Sequence, residues 1–431
     1  MKRGFYTIMA AQFFSSLADN ALLIAAIAML LELQGPPWMT PLLKFFFTAS
    51  YVGLAAFVGA FADALPKGRV MFITNTVKIV GCGMMFLPGW VQIGSLPDYA
   101  MVLVAYGVVG LGAAAYSPAK YGILTELLPP SQLVIANGWI EGLTVTSIIV
   151  GTVLGGALIS PKVSTALLSL DVPNIDTGID TPAEAAITVI AGFYVVAALF
   201  NLFIPDTGAR YARQRAHPGY LIRDFVICFT TLWKDKLGQV TLGVTTLFWG
   251  AGATLQFIVL KWAEVHLGLP LDQGAVLQGV TAIGIAAGAV IAGRFVPLRR
   301  SLSVLPVGVA MGFTILAMLG AHNMVLVYFL LILIGAMAGF FVVPMNALLQ
   351  HRGHVLLSAG HSIAVQNFTE NISILVMLAI YASMIKADVH INKVIILFGT
   401  FVSCAMLLVI LRHRYNQKRG DSLHLIGMEK R

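Results

Sequence analysis

Apolar residues along this chain do not alternate with polar ones. They run in blocks of about 20 or more, the length a helix needs to cross a hydrocarbon core. Twelve such blocks are predicted, at about 5–31, 43–65, 70–93, 99–127, 133–159, 183–205, 239–264, 273–297, 302–320, 324–349, 357–386 and 392–412. A polar, basic stretch separates six blocks from six. Within it Leu221, Phe225, Val226, Phe229 and Leu232 recur at helical spacing and predict a short amphipathic helix on a membrane surface. The pattern predicts an all-α polytopic membrane protein. Its parts are an N-terminal six-helix bundle over 1–205, a linker loop over 206–236, a C-terminal six-helix bundle over 237–412 and a tail over 413–431.

Composition agrees. The chain is 58% hydrophobic and 11% charged, with a mean hydropathy of +0.87, whereas a soluble domain is about 25% charged. The net charge of +8 does not predict nucleic-acid binding, because the basic residues occupy alternate loops and not one face. Most Lys and Arg fall at the two termini, at Lys67 and Arg69, at Lys120, in 206–236, at Arg294, Arg299 and Arg300, and at Arg352. The opposite loops carry Glu32, Asp98, Asp171, Asp176, Asp180, Glu184, Asp272 and Asp388. Positive-inside bias therefore places both termini in the cytoplasm. Cys82, Cys228 and Cys404 are too scattered for a metal-ligand spacing or a disulfide framework. No Gly-x-x-x-x-Gly-Lys, His-Glu-x-x-His or His-x-x-x-x-Asp motif occurs, so no enzyme, metal or cofactor is predicted.

Polar residues inside the apolar blocks are the candidate chemistry. Asp19 sits in the middle of the first block, with Asn20 beside it, and Gln12, Ser15, Ser16 and Asp19 share one helical face. A carboxylate at mid-membrane costs about 2.5–3.5 kcal/mol on insertion scales, so a binding or transport role is the default expectation. The block 357–386 carries His361, Ser362, Gln366, Asn367, Thr369, Glu370, Asn371 and Ser373. Glu370 falls about 20 Å along it, near the bilayer centre. One mid-membrane acid per half is what a central cavity binding a cationic group would present. Glu141 lies shallower, on a face with Asn137 and Thr144. Lys120 is expected either to bind a phosphate as a point charge or to pair internally with Glu126 or Glu141. Lys78 is expected to be the structural partner of an acid.

The two halves show a faint internal similarity. Gly110, Gly112, Ala113, Ala114 and Pro118, then Asn137 and Glu141, are echoed by Gly335, Ala338, Gly339 and Pro344, then Gln366 and Glu370. Gly59-x-x-x-Asp63 followed by Lys67-Gly68-Arg69 resembles the loop signature of the major facilitator superfamily, with Ala64 where a basic residue is usual. That resemblance implies two six-helix bundles around a central cavity, with Asp63, Lys67 and Arg69 as a gating charge latch. The loop Arg294 to Arg300 has no acid, so a latch there needs a partner from elsewhere.

A narrower resemblance covers nearly the whole chain. It is carried by Asp19-Asn20-Ala21-Leu22-Leu23, by Lys67-Gly68-Arg69-Val70-Met71, and by Tyr116-Ser117-Pro118-Ala119-Lys120-Tyr121-Gly122-Ile123. Leu247-Phe248-Trp249-Gly250-Ala251-Gly252, Asn346-Ala347-Leu348-Leu349-Gln350 and Ala364-Val365-Gln366-Asn367 with Glu370-Asn371 complete it. These segments resemble the bacterial lysophospholipid transporters of the inner membrane. The resemblance implies movement of lysophosphatidylethanolamine from the outer to the inner leaflet, without a cofactor, for reacylation by a lysophospholipid acyltransferase, expected to be separate. The chemistry of the residues fits such a head group: Asp19 or Glu370 can pair with its ammonium and Lys120 or another interior cation with its phosphate, and Asn20, Glu141, Gln366 and Asn367 are the further residues expected to bind substrate. Relatives often carry arginine where this chain has Gln256. A proton-coupled exporter of drugs or metabolites, and a scaffold that docks the acyltransferase, remain the alternatives.

Overall fold

The computed structural model describes residues 3–35, 40–87, 97–169, 179–211, 217–269, 271–420 and 422–426. The side chains of Glu141 and of a few residues at helix ends also lie outside that description. Among the described residues the secondary structure is helical, without strands. The chain packs as two compact units, Met1–Lys120 with Ser147–Arg213, and Tyr121–Thr146 with Gln214–Arg431.

The first unit is built from α1 (Arg3–Glu32), α2 (Thr40–Ala64), α3 (Lys67–Met84), most of α4 (Asp98–Leu127), the later part of α5 (Leu133–Ile159), the short α6 (Pro161–Leu168) and α7 (Pro182–Leu202). The α1 residues Ala18, Ala21, Leu22, Ala25 and Ala26 are fully buried, against Val102, Ala105 and Val109 of α4 and Ile187, Ile190 and Tyr194 of α7. Alanines at this spacing let backbones approach closely, which is how helices associate where lipid removes most of the hydrophobic drive. A capping box starts α7: the Thr181 hydroxyl accepts from Glu184 N–H while the Glu184 carboxylate accepts from Thr181 N–H.

The second unit holds α8 (Pro218–Lys234), α9 (Gly238–Leu267), α10 (Leu271–Phe295), α11 (Leu305–Ala317), α12 (Met324–Leu356), α13 (Ala359–Lys386) and α14 (Ile391–Lys418), with the end of α4 and the start of α5. Here α10 packs on α12, α11 on α14, and α13 on α9. The α10–α12 crossing is made of glycines. Gly284 and Gly288 lie against the Ile332 and Ala336 carbonyls, and Gly335 and Gly339 against the Thr281 and Ile285 carbonyls, so any Cβ there would enter the facing backbone. A left-handed Gly268 (φ 63°) ends α9.

Eleven of the described helices are long and apolar enough to cross a membrane. The predicted third block differs from them. It forms α3, whose 18 residues carry Lys67, Arg69 and Lys78, and the rest of that block from 88 lies outside the described residues. Charge is therefore concentrated on one short helix of the first unit, and that helix supplies the chemistry described next.

Candidate functional site

In the first unit Asp19 is held by two other helices. The Lys78 ammonium on α3 donates to both Asp19 oxygens at 2.9 Å, and the Tyr194 hydroxyl on α7 donates to Oδ1 at 2.6 Å. Lys78 also donates to Ser15 Oγ at 3.0 Å, and the Ser15 hydroxyl donates in turn to Asn75 Oδ1 at 2.8 Å. The rings of Tyr116 and Tyr194 lie 5.1 and 5.4 Å from the ammonium, within cation–π range. Lys78 is 1% exposed and Asp19 21% exposed, so the carboxylate is the accessible edge of a buried pair. Gly112 of α4 makes room for it, since a Cβ there would meet Lys78 Cγ and the Thr74 carbonyl oxygen at 2.8 Å each.

Two donors beside this pair are left over. Asn75 Nδ2 and the Tyr116 hydroxyl are buried without a hydrogen-bond partner among the described residues, and a buried orphan donor costs about 1–3 kcal/mol. Asn20, next to Asp19, turns back on its own helix and donates to the Ser16 carbonyl. Lys120 sits half-buried on α4 just past Pro118. The cation on Asp19 is Lys78.

In the second unit a separate polar knot forms on α13. Gln366 Nε2 donates to Glu370 Oε1 at 2.8 Å and to Asn346 Oδ1 of α12 at 3.0 Å. Gln366, Asn367 and Glu370 are all buried, and the Asn367 carbonyl accepts from Asn371. Gln256 of α9 donates to Gln278 of α10 at 3.0 Å, and Gln278 returns a bond to the Gln256 carbonyl. The side chain of Glu141 lies outside the described residues.

At the loop after α2, Lys67 bonds Asp63 at 2.7 Å and also donates to the Ala62 carbonyl. The Asp63–Lys67 pair is thus a buried i,i+4 bridge across the turn that joins the end of α2 to the start of α3, with the Tyr211 ring 4.9 Å from the ammonium. Arg69 is exposed. The Arg210 guanidinium and the Gly208 N–H hold the Asp206 carboxyl down at about 2, and the charge of Arg69 helps to lower it.

Two polar contacts in the second unit were not singled out from the sequence. Arg352, near the end of α12, pairs with Asp235 at 2.7 Å, with a second bond from Nε at 3.3 Å, and both side chains are largely buried. Asp235 Oδ2 also caps α9 by accepting from Gly238 N–H at 2.8 Å. An acid three residues before a helix start is the signal that could have found it. Asn137 of α5 and Gln350 of α12 exchange two amide hydrogen bonds, each 2.9 Å, in a buried setting. A cavity of about 370 Å³ lies close by, lined by Glu126, Pro129, Leu133, His351 and His354.

Residues 8–378 match the model of the Major Facilitator Superfamily. Lysophospholipid transporter LplT of Yersinia enterocolitica is 39% identical over 390 residues, 90% of this chain and 89% of that protein. Lysophospholipid transporter LplT of Yersinia pestis (strain Pestoides F) is 39% identical over 387 residues, 90% and 88% of the two chains. Among solved structures, the human organic anion transporter MFSD10 (TETRAN) superposes with a TM-score of 0.71 at 15% identity, covering 96% of this chain and 100% of that one. A bacterial homologue of the iron transporter ferroportin gives 0.70 at 14% identity, covering 97% and 100%. The solved structures speak to the fold. The chain belongs to the major facilitator superfamily and, within it, to the family of lysophospholipid transporters.

Proposed function

We propose that this protein moves lysophospholipid, chiefly lysophosphatidylethanolamine, from the outer to the inner leaflet of a bacterial inner membrane, where a lysophospholipid acyltransferase restores the missing chain. Both termini are cytoplasmic in this reading, from the distribution of Lys and Arg. The observation that carries the substrate class is the Asp19–Lys78 pair. It is an internal zwitterion with one accessible edge, flanked by the two orphan donors Asn75 Nδ2 and Tyr116 OH.

A zwitterionic head group suits such a pair. Its ammonium approaches the accessible carboxylate of Asp19. Its phosphate takes over the released ammonium of Lys78 and supplies acceptors to Asn75 and Tyr116. Both buried charges stay compensated throughout. A solute carrying only a cation would displace Lys78 and leave it bare, at a cost of several kcal/mol. Head-group contacts are proposed for Asp19, Asn20 and Lys120, and separately for Gln366, Asn367 and Glu370, with Glu141. Asp63, Lys67 and Arg69 are proposed to gate. The acyl tail stays in lipid while the head crosses.

Leaflet-resolved uptake of lysophosphatidylethanolamine into proteoliposomes tests the reading. Inward movement of outer-leaflet lipid down its own gradient that persists with a protonophore supports it; in the cell, consumption by reacylation would keep that gradient inward. Collapse of uptake on adding the protonophore would favour a proton-coupled carrier, and no lipid movement at all would remove the function.

A further inference from the structure

The helix α8 is divided lengthwise into three strips. Phe225, Phe229 and Leu232 are seated on the protein, Phe225 and Phe229 meeting the edge of Phe368 on α13 at centroid distances of 5.3 and 6.1 Å. Beside them Ile222, Val226 and Trp233, within about 40° of one another around the helix, stay open, at 50%, 52% and 36% exposure. Arg223 and Lys234, both exposed, border that open strip on its other side. Going round the helix the order is seated apolar, open apolar, basic.

The seat continues into the membrane-facing side of α13. About one and two turns beyond Phe368 come Ile372 and Val376, both exposed, on a helix apolar enough to span a bilayer. Exposed aliphatic residues along a spanning helix face acyl chains. The open strip of α8 is therefore continuous with a lipid-facing surface. Its basic border sits where long cationic side chains reach back to phosphates.

We infer that α8 is a docking surface for anionic membrane lipid: Ile222, Val226 and Trp233 enter the acyl boundary while Arg223 and Lys234 hold lipid phosphates. Charge complementarity selects anionic head groups, because each basic residue near such a surface adds about fivefold to the docked-to-free ratio. The same helix meets α13 one residue from Asn367 and two from Gln366 and Glu370, so what docks on α8 bears on the helix that carries that polar knot.

The test uses the full chain in proteoliposomes, with Cys82, Cys228 and Cys404 replaced by serine and single spin labels introduced by Ile222→Cys, Val226→Cys or Ile227→Cys. Ile227 is 49% exposed but lies beyond the basic border, so it serves as an equally exposed control. In vesicles of phosphatidylcholine with phosphatidylglycerol, labels at 222 and 226 should collide with oxygen and not with a water-soluble nickel chelate. The label at 227 should show the reverse. Replacing phosphatidylglycerol by phosphatidylcholine, or adding Arg223→Gln with Lys234→Gln, should shift 222 and 226 toward the chelate by more than tenfold in the docked-to-free ratio. Equal chelate access at all three sites would overturn the proposal. Labels at 222 and 226 shielded from both reagents would point to a second copy of the chain on α8. Docking indifferent to lipid charge would overturn the anionic specificity.

Discussion

Asp19→Asn removes the charge that neutralises Lys78 while keeping the size and the hydrogen-bonding reach of the side chain. Lys78 is 1% exposed, so its ammonium is left with Ser15 Oγ, two aromatic rings and a neutral amide oxygen, and with no countercharge. Breaking a buried pair by removing one partner costs about 3–5 kcal/mol. Because Asp19 is 21% exposed, solvent screens part of the interaction, and the low end, about 3 kcal/mol, is the expected loss. For a chain of 431 residues that lowers Tm by roughly 3 °C. Lys78→Met should cost less, since the carboxylate it strands keeps the Tyr194 hydroxyl and an edge open to solvent. The double variant Asp19→Asn/Lys78→Met strands nothing and should fall within about 1 kcal/mol of the native protein, because apolar replacement of a whole buried pair is often neutral. Thermal unfolding of the purified protein in detergent closes the double-mutant cycle, with an expected coupling of at least about 2 kcal/mol. Transport separates structure from function: all three variants should fail to move lipid although the double is stable. Single variants of native stability, or a double variant as unstable as the sum of the two, would refute the electrostatic reasoning. A double variant that transports normally would make the pair purely structural.

Gly112→Val should displace Lys78 and the Thr74 backbone and cost about 1–3 kcal/mol by overpacking, whereas Gly142→Ala, with nothing within 4 Å of its Cβ position, should be neutral; thermal melts of both compare them directly. Arg352→Met should cost about 3 kcal/mol by stranding the Asp235 carboxylate, which is 13% exposed, and Arg352→Lys should recover part of it in the same assay. Asn137→Leu leaves the Gln350 amide buried without its partner, a loss of about 1–3 kcal/mol; Asn137→Leu with Gln350→Leu should be less damaging than Asn137→Leu alone, and a more damaging double variant would show that the amide pair is not the determinant.

The helices were legible because bilayer-length apolar runs admit few alternatives. The block predicted at 70–93 was the least regular, since Lys78 interrupts it and the helix α3 begins before it, at Lys67 and Arg69. Asp19 was legible as a buried acid from its position in one apolar block, and Lys78 as a partner for some acid. Their pairing was not, because it joins residues 59 apart across helices whose rotation is set by packing, in particular by the missing Cβ of Gly112. Tyr194 gave no signal, being one aromatic residue among many in apolar helices. The Arg352–Asp235 bridge and the Asn137–Gln350 amide pair, separated by 117 and 213 residues, depend on which helix ends meet. Helical periodicity carries no information on that point. The amphipathic stretch in 206–236 was visible from spacing alone, but which strip of α8 is seated and which is open follows only from Phe368.

The proposed transport step is exchange of a single-chain zwitterionic lipid at the Asp19–Lys78 pair. It is tested most directly by initial rates in proteoliposomes for lysophosphatidylethanolamine and diacyl phosphatidylethanolamine, which share a head group and differ by one chain. A second chain that had to leave lipid would add about 0.8 kcal/mol for each methylene, so the lyso form should move rapidly and the diacyl form not above the protein-free background. Equal rates for the two, or a lyso rate that Asp19→Asn/Lys78→Met leaves unchanged, would contradict the account.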